Sequence, residues 1–227
     1  MKNIYIYALV AIVVIAGVVW FVLQDTETEQ IPEYKEEVTI KDSELDTVDP
    51  LEMLRKAKEI EYIRYDSEMT FPGGERTSKV WISGTNMRME VETQGQEVVI
   101  LIDESTGEAT FYMPTEGFAT KMNIRESEMG QEKSMIDHTI ELLGSDYKVV
   151  GTERVDGKNC LVVEYEDEFS SGTMWIWTTY GLPIKMEIQT SEGTTTVIAK
   201  NINFSSFSED VFQLPAGIQV TDMADFQ

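Results

Sequence analysis

The sequence predicts a mainly β domain of the α+β class: a curved antiparallel half-barrel of about 10–11 strands with helices covering its concave face. One N-terminal transmembrane helix is predicted to precede this domain. Three observations lead to this architecture. Short runs of alternating apolar and polar residues recur along the chain and are separated by polar turns that contain glycine. Two stretches instead repeat apolar residues at helical spacing, and an uncharged apolar run lies near the N-terminus.

The apolar run from Ile4 to Leu23 is long enough to cross a membrane core. At about 1.5 Å per residue, a helix of this length spans roughly 30 Å. A cleaved signal peptide is the alternative, but such peptides have shorter apolar stretches and a small-residue cleavage site that is missing here. Lys2 precedes the run, so the positive-inside rule predicts a single-pass cell-membrane protein. Residues 1–3 would be cytoplasmic, residues 4–23 the anchor, and the C-terminal domain would lie outside.

Residues 24–48 are predicted to be an acidic linker, because acidic side chains dominate this segment and apolar ones are sparse. The whole chain has a formal net charge of −23. Such a charge repels phosphate groups and argues against nucleic acid or anionic lipid headgroups as partners of the general surface.

The folded domain is predicted over residues 49–227 and starts with a helix. Asp49 suits the N-cap and Pro50 suits the first helical position, and we expect the helix to end near Glu61. The apolar period then changes to two, which predicts a meander of five strands. The five predicted strands are Glu61–Phe71, Arg76–Ser83, Met87–Thr93, Glu97–Asp103 and Glu108–Met113.

A second helix is predicted between about Arg125 and Leu143. Met129, Ile136 and Ile140 recur there at helical spacing, and Gly144 is a natural stop. The alternating pattern then resumes, so a second meander follows. Its predicted strands are Tyr147–Val155, Asn159–Asp167, Thr173–Thr179, Leu182–Thr190 and Thr194–Ser205, with a further short strand within Val211–Thr221.

The alternation also predicts which side chains are buried. On two of the predicted strands, apolar residues alternate with charged ones, so one face of the sheet is apolar and the other is charged. A flat sheet of this size would leave part of its apolar face uncovered, so the sheet is expected to curl around its helices. The chain contains 12 methionines, whose flexible thioethers suit a cavity for acyl chains, although ordinary core packing also explains them. The predicted cavity lining is Met87, Met89, Val91, Trp175, Trp177, Ile184, Met186 and Ile188.

Six short sequence segments carry a family resemblance. They are Asn86–Val91, Val99–Asp103, Asp156–Val163, Trp175–Trp177, Gly181–Lys185 and Leu214–Gly217. In their order and spacing, the chain from residue 49 to about residue 221 resembles the lipoprotein-localisation family, which is LolA/LolB-like and includes outer-membrane lipoprotein-sorting proteins. The resemblance implies an incomplete antiparallel barrel with helices over its mouth. It also implies a hydrophobic cavity for lipid or for the acyl chains of lipoproteins.

The chain departs from the carriers of that family in one respect. The carriers are soluble shuttles, whereas this chain is predicted to be tethered. A sorting role and individual cargo residues are therefore not carried over, and residues 49–227 are interpreted only as a LolA-like domain of the lipid-binding type.

No pattern in the sequence predicts catalysis. His138 is the only histidine and Cys160 the only cysteine, and nothing places them together as a dyad or as a zinc site. Phosphate-binding loops of recognised spacing are also missing. We therefore expect no enzymatic activity, no catalytic residues, no metal and no cofactor.

Three functional interpretations remain at this level. The first is a membrane-anchored extracytoplasmic binding protein that holds lipid or lipoprotein acyl chains as a carrier or chaperone. The second is an extracytoplasmic sensor or protein-interaction module whose cavity is filled by its own side chains. The third is a hydrolase that uses acidic residues. An open apolar cavity of several hundred Å³ favours the first interpretation, and a packed interior favours the second.

Overall fold

The computed structural model describes residues 37–57, 60–93, 95–123, 147–166 and 171–223. Its helical elements are one α-helix, α1 (Pro50–Lys56), and two 3₁₀ segments, Asp42–Thr47 and Glu209–Phe212. The first six strands are β1 (Tyr62–Phe71), β2 (Gly74–Ser83), β3 (Asn86–Thr93), β4 (Gln96–Asp103), β5 (Glu108–Met113) and β6 (Phe118–Asn123). The other six are β7 (Tyr147–Val155), β8 (Lys158–Glu166), β9 (Ser171–Trp177), β10 (Leu182–Thr190), β11 (Gly193–Asn203) and β12 (Gln219–Asp222).

All twelve strands form one open sheet, in the order β12-β6-β5-β4-β3-β2-β1-β11-β10-β9-β8-β7. Two antiparallel meanders, β1 to β6 and β7 to β11, are joined where β11 pairs with β1. The strand β12 extends the first meander by pairing with β6 in parallel. The strands β1 and β2 therefore lie in the middle of the sheet.

The turn between β7 and β8 has the residue types that favour a tight hairpin. Asp156 and Gly157 join β7 to β8, and both have a positive φ, of 48° and 78° respectively. Two consecutive positive φ values suit a two-residue hairpin loop, which favours Asp-Gly.

One side of the sheet, the core face, carries the main hydrophobic core. A cross-strand row shows its composition, because Met69 pairs with Val197, Val197 with Met186, and Met186 with Met174. All four side chains are buried. The opposite side, the outer face, carries charged residues such as Arg88.

The predicted fold class is wrong about the balance of helix and strand. The described part of the chain is nearly all β, with twelve strands rather than about 10–11, and its single α-helix has seven residues. This helix packs on β9 and β10 and does not cover the whole core face. The strand β6 was not predicted, because Phe118–Asn123 is short and its apolar and polar residues alternate only weakly. The predicted second helix, about residues 125–143, lies outside the described residues.

The predicted membrane anchor, Ile4–Leu23, also lies outside the described residues. Within the described ranges, no helix is both long enough and apolar enough to cross a membrane. The described structure therefore does not support the predicted single-pass localisation or the predicted N-terminal transmembrane helix.

The segment from residue 37 to residue 48, which the sequence assigns to the linker, contacts the sheet. One carboxylate oxygen of Glu37 accepts a hydrogen bond from Trp177 Nε1 at 3.0 Å, and the other accepts one from the backbone N–H of Asn159 at 3.2 Å. The backbone N–H of Val38 donates to Thr179 Oγ1 at 3.0 Å. These bonds hold the segment beside the start of β8 and the end of β9.

After β11 the chain crosses the outer face of the first meander. The ring of Phe207 lies 5.1 Å from that of Tyr62, and Arg88 Nη1 donates to the carbonyl oxygen of Val211 at 2.9 Å. Leu101 is paired with Arg88 and so lies on this outer face, yet it is buried. The crossing segment thus brings the chain to the sheet edge where β12 pairs with β6.

Candidate functional site

Three of the predicted lining residues lie together on β3. Met87, Met89 and Val91 point to the core face and alternate with Arg88 and Glu90, because alternate residues of a strand face opposite sides of a sheet. Met87 and Met89 are fully buried, and Val91 is nearly so. Their partners on β4 are also apolar, which makes this half of the core face continuous.

Three more predicted residues lie on β10, on the other side of the sheet centre. Met186 is buried on the core face opposite Met174. Ile184 is buried where the register of β10 shifts between Pro183 and Lys185. Ile188 shares the face of Met186 and is half-buried.

The structure separates the two predicted tryptophans from this group. Trp175 pairs with Lys185, whereas its neighbour Met174 pairs with Met186, so Trp175 is on the outer face. The Lys185 ammonium lies 3.8 Å from the Trp175 ring centroid, and Trp175 Nε1 donates to a carboxylate oxygen of Glu153 at 2.7 Å. Trp177 follows the same alternation.

The centre of the core face carries polar side chains that the sequence reasoning missed. Tyr65, Ser67 and Ser78 are all buried there, and Ser67 pairs directly with Ser78 across β1 and β2. The Tyr65 hydroxyl is inaccessible to solvent, and it has no hydrogen-bond partner among the described residues. Burial raises the pKa of Tyr65 above its ordinary value, so the hydroxyl keeps its proton and remains a donor.

A cation continues this polar line toward the end of the sheet that holds the β1–β2 turn, here called the far end. Arg76 pairs with Met69 and therefore faces the core side. Its guanidinium lies 5.9 Å from the centroid of the Phe71 ring. Arg76 is half-buried, and within the described ranges no carboxylate forms an ion pair with it.

The two ends of the core face differ in how completely their apolar side chains are buried. At one end, Met53 and Leu54 of α1 and the following residue, Ala57, belong to the buried core. At the far end, apolar side chains of the core face are only half-buried. These far-end residues are Phe71, Val98, Val149 and Ile188. A ligand that enters the core face therefore meets the least covered apolar surface at the far end.

A polar cleft lies outside the core face and is too small for a large ligand. It has a volume of about 130 Å³ and is bounded by Ile40, Glu153, Arg154 and Thr178, among others. Ligand pockets commonly measure about 300–1,000 Å³.

Groups suited to catalysis are sparse in the described part of the chain. No cluster of three or more His, Cys, Asp or Glu side chains there could hold a metal ion. Burial raises the pKa of Cys160 to about 12, so its thiol stays protonated at neutral pH and is a poor nucleophile.

Comparison with known proteins gives a family and a fold. The model of a domain of unknown function, DUF4412, matches residues 65–181, which is just over half of the chain. This match starts at Tyr65 on β1 and ends at Gly181 before β10. No curated protein matches the chain in sequence.

An uncharacterised conserved protein from Thermus thermophilus has a similar structure. The TM-score is 0.57 at 11% sequence identity, and the match covers 76% of this chain and 98% of that protein. This likeness shows a shared fold.

Two further structures have lower scores. MucB in complex with MucA(peri) has a TM-score of 0.47 at 20% identity, covering 76% of this chain and 62% of that one. The lipoprotein LppX from Mycobacterium tuberculosis has a TM-score of 0.44 at 11% identity, covering 74% and 99%.

Proposed function

This chain belongs to the DUF4412 family, and we propose that its core face binds the acyl chains of a lipid or of a lipoprotein. The chain would act as a binding protein, a carrier or chaperone for such chains, rather than as an enzyme. The resemblance to the lipoprotein-localisation family supports the same interpretation, because that family holds acyl chains in an incomplete barrel.

The observation that carries this proposal is the methionine content of the core face. Five buried methionines, Met69, Met87, Met89, Met174 and Met186, lie on one side of the same sheet. Unbranched thioether side chains change conformation easily and adapt to flexible apolar partners. An acyl chain is such a partner, and the half-buried far end supplies a route for its entry.

The environment of Asp103 favours a binding function over a hydrolytic one. An acidic-residue hydrolase needs several carboxylates in one cleft with perturbed pKa values. Partial burial alone would raise the pKa of Asp103, but hydrogen bonds from Ser105 and Thr106 together outweigh that effect and lower it. These bonds belong to a surface turn between β4 and β5, so Asp103 is a structural group.

A second candidate function is a sensor or protein-interaction module with a filled interior. Its supporting observation is the burial of Met87, Met89 and Met186, none of which exposes more than 1% of its surface. This packing meets the condition given above for the interaction module, and lipid could enter the core face only if these side chains moved apart.

Native mass spectrometry of the full chain, purified without detergent, distinguishes the two functions. Binding predicts a co-purifying mass that organic extraction identifies as an acyl lipid, and uptake of added lipid after extraction. Met89→Ala should change the amount bound, and Met223→Ala should not, because Met223 is exposed. A bare protein mass with no uptake would reject lipid binding in favour of the interaction module.

A further inference from the structure

Polar side chains run along the middle of an otherwise apolar face. The strands β2 and β1 are the sixth and seventh of the twelve in sheet order. On their core side, Tyr65 lies deepest, the pair Ser67 and Ser78 comes next, and Arg76 is nearest the far end. These four residues are called the polar track.

The Tyr65 hydroxyl requires an explanation because buried polar groups in proteins are almost always hydrogen-bonded. Leaving one without a partner costs the desolvation of that group. A tyrosine that serves only to fill space could be a phenylalanine at no such cost. A ligand atom that accepts a hydrogen bond from this hydroxyl accounts for its presence.

Apolar surface borders the polar track on both sides. Met89 and Val91 of β3 lie on one flank, and Val197 of β11 and Met186 of β10 lie on the other. The track therefore divides the core face into two apolar halves. A ligand that matches this pattern has a polar centre and two apolar arms.

We propose, on the premise that the core face binds acyl chains, that the polar track binds the head of a two-chain lipid that carries an anionic phosphate. The hydroxyls of Tyr65, Ser67 and Ser78 hydrogen-bond the ester oxygens, and Arg76 pairs with the phosphate. One acyl chain lies on each flank.

The order of the groups along the track fits the cost of burying them. Ester carbonyls are neutral acceptors and need only hydrogen-bond donors when they are buried. A phosphate is charged and costs far more to bury without a counter-charge. Arg76 supplies that charge at the half-buried far end, in a protein whose net charge of −23 otherwise repels anions.

The test measures the affinity of the extracted full chain for soluble short-chain lipids by isothermal titration calorimetry. The probes are dihexanoyl phosphatidylglycerol, dihexanoylglycerol without the phosphate, and dodecanoate with one chain. The variants are Tyr65→Phe and Arg76→Gln. Their matched controls are Tyr112→Phe and Arg64→Gln, which change the same residue types on the outer face.

The wild-type chain should bind the phosphatidylglycerol more tightly than either other probe. Tyr65→Phe should weaken that binding by about three- to tenfold and raise the Tm, because it removes an unpartnered hydroxyl from the ligand-free protein. Arg76→Gln should abolish the preference for the phosphate-bearing lipid. The two controls should bind as the wild type does.

The polar track is rejected if the wild type binds lipid and both variants bind equally well, or if Tyr65→Phe lowers the Tm. Equal affinity for dodecanoate overturns the two-chain assignment. If the wild type binds none of the three probes, the proposed function itself fails, and this outcome is distinct from failure of the track alone.

Discussion

Gly181 packs against the backbone of α1 so closely that a Cβ atom at this position would overlap the carbonyl oxygen of Met53. Gly181 also has a φ of +72°, which other residues rarely adopt. Helices as short as α1 are unstable in isolation. The close approach to the β9–β10 turn therefore holds α1 over one end of the core face.

Gly181→Ala should lower the free energy of unfolding by about 2–5 kcal/mol. Roughly 1–2 kcal/mol comes from the left-handed backbone and the remainder from the overlap with Met53. Gly117 is the matched control, since it has a φ of +71° but nothing within 4 Å of an added Cβ. Gly117→Ala should therefore cost only about 1–2 kcal/mol. Equal losses in urea denaturation would show that α1 does not depend on this contact.

Met186→Ala should destabilise the protein by about 2–5 kcal/mol, because it leaves a cavity in the cross-strand row of the core face. Met223→Ala should change stability by less than about 0.5 kcal/mol, since Met223 is 43% exposed. Thermal or urea denaturation of both variants measures the difference. A near-neutral Met186→Ala would mean that this part of the face is not packed in the ligand-free protein.

Sequence patterns predicted the meanders because each strand carries its own alternation and turn residues. The strands β3 and β10 are examples, in which methionine and isoleucine alternate with charged residues. The short strand expected within Val211–Thr221 overlaps β12, but its pairing could not be predicted in the same way. The place of β12 beside β6 depends on the path that the chain takes across the outer face.

The candidate site was only partly predictable for a related reason. Met174, Trp175, Ile176 and Trp177 are all large and apolar, so alternation alone does not say which pair faces the core. The register between β9 and β10 decides it, and no local pattern specifies that register. The polar track was missed because Tyr65 and Ser67 resemble ordinary surface residues until β1 is placed at the centre of the sheet.

Trp175→Phe should leave acyl-lipid affinity within about twofold of the wild type, because Trp175 lies on the outer face, away from the proposed site. The variant should still lose about 1–2 kcal/mol of stability, because phenylalanine cannot donate the hydrogen bond to Glu153 and attracts the Lys185 ammonium less strongly than tryptophan does. Calorimetric titration and denaturation give the two values. A tenfold loss of affinity would place the indole in the binding site.

Cys160 should react very slowly with a thiol reagent in the folded protein at pH 8. With its pKa raised to about 12, roughly one thiol in ten thousand is ionised at that pH. Unfolding exposes the thiol and restores an ordinary pKa, so the same reagent in denaturant should react quickly. Since Cys160 is the only cysteine, the absorbance change of the thiol reagent reports the reaction of this side chain alone. Rapid modification of the folded chain would mean that the thiol is accessible.

The most direct test of acyl-chain binding is photo-crosslinking with a fatty acid that carries a diazirine at the end of its chain. The label would be mapped on the full-length protein by peptide mass spectrometry. The core-face account predicts adducts on the β3 and β10 peptides, at Met87, Met89 or Met186, and their loss when unlabelled lipid competes. Adducts confined to outer-face residues such as Trp175, or labelling that excess lipid does not suppress, would contradict it.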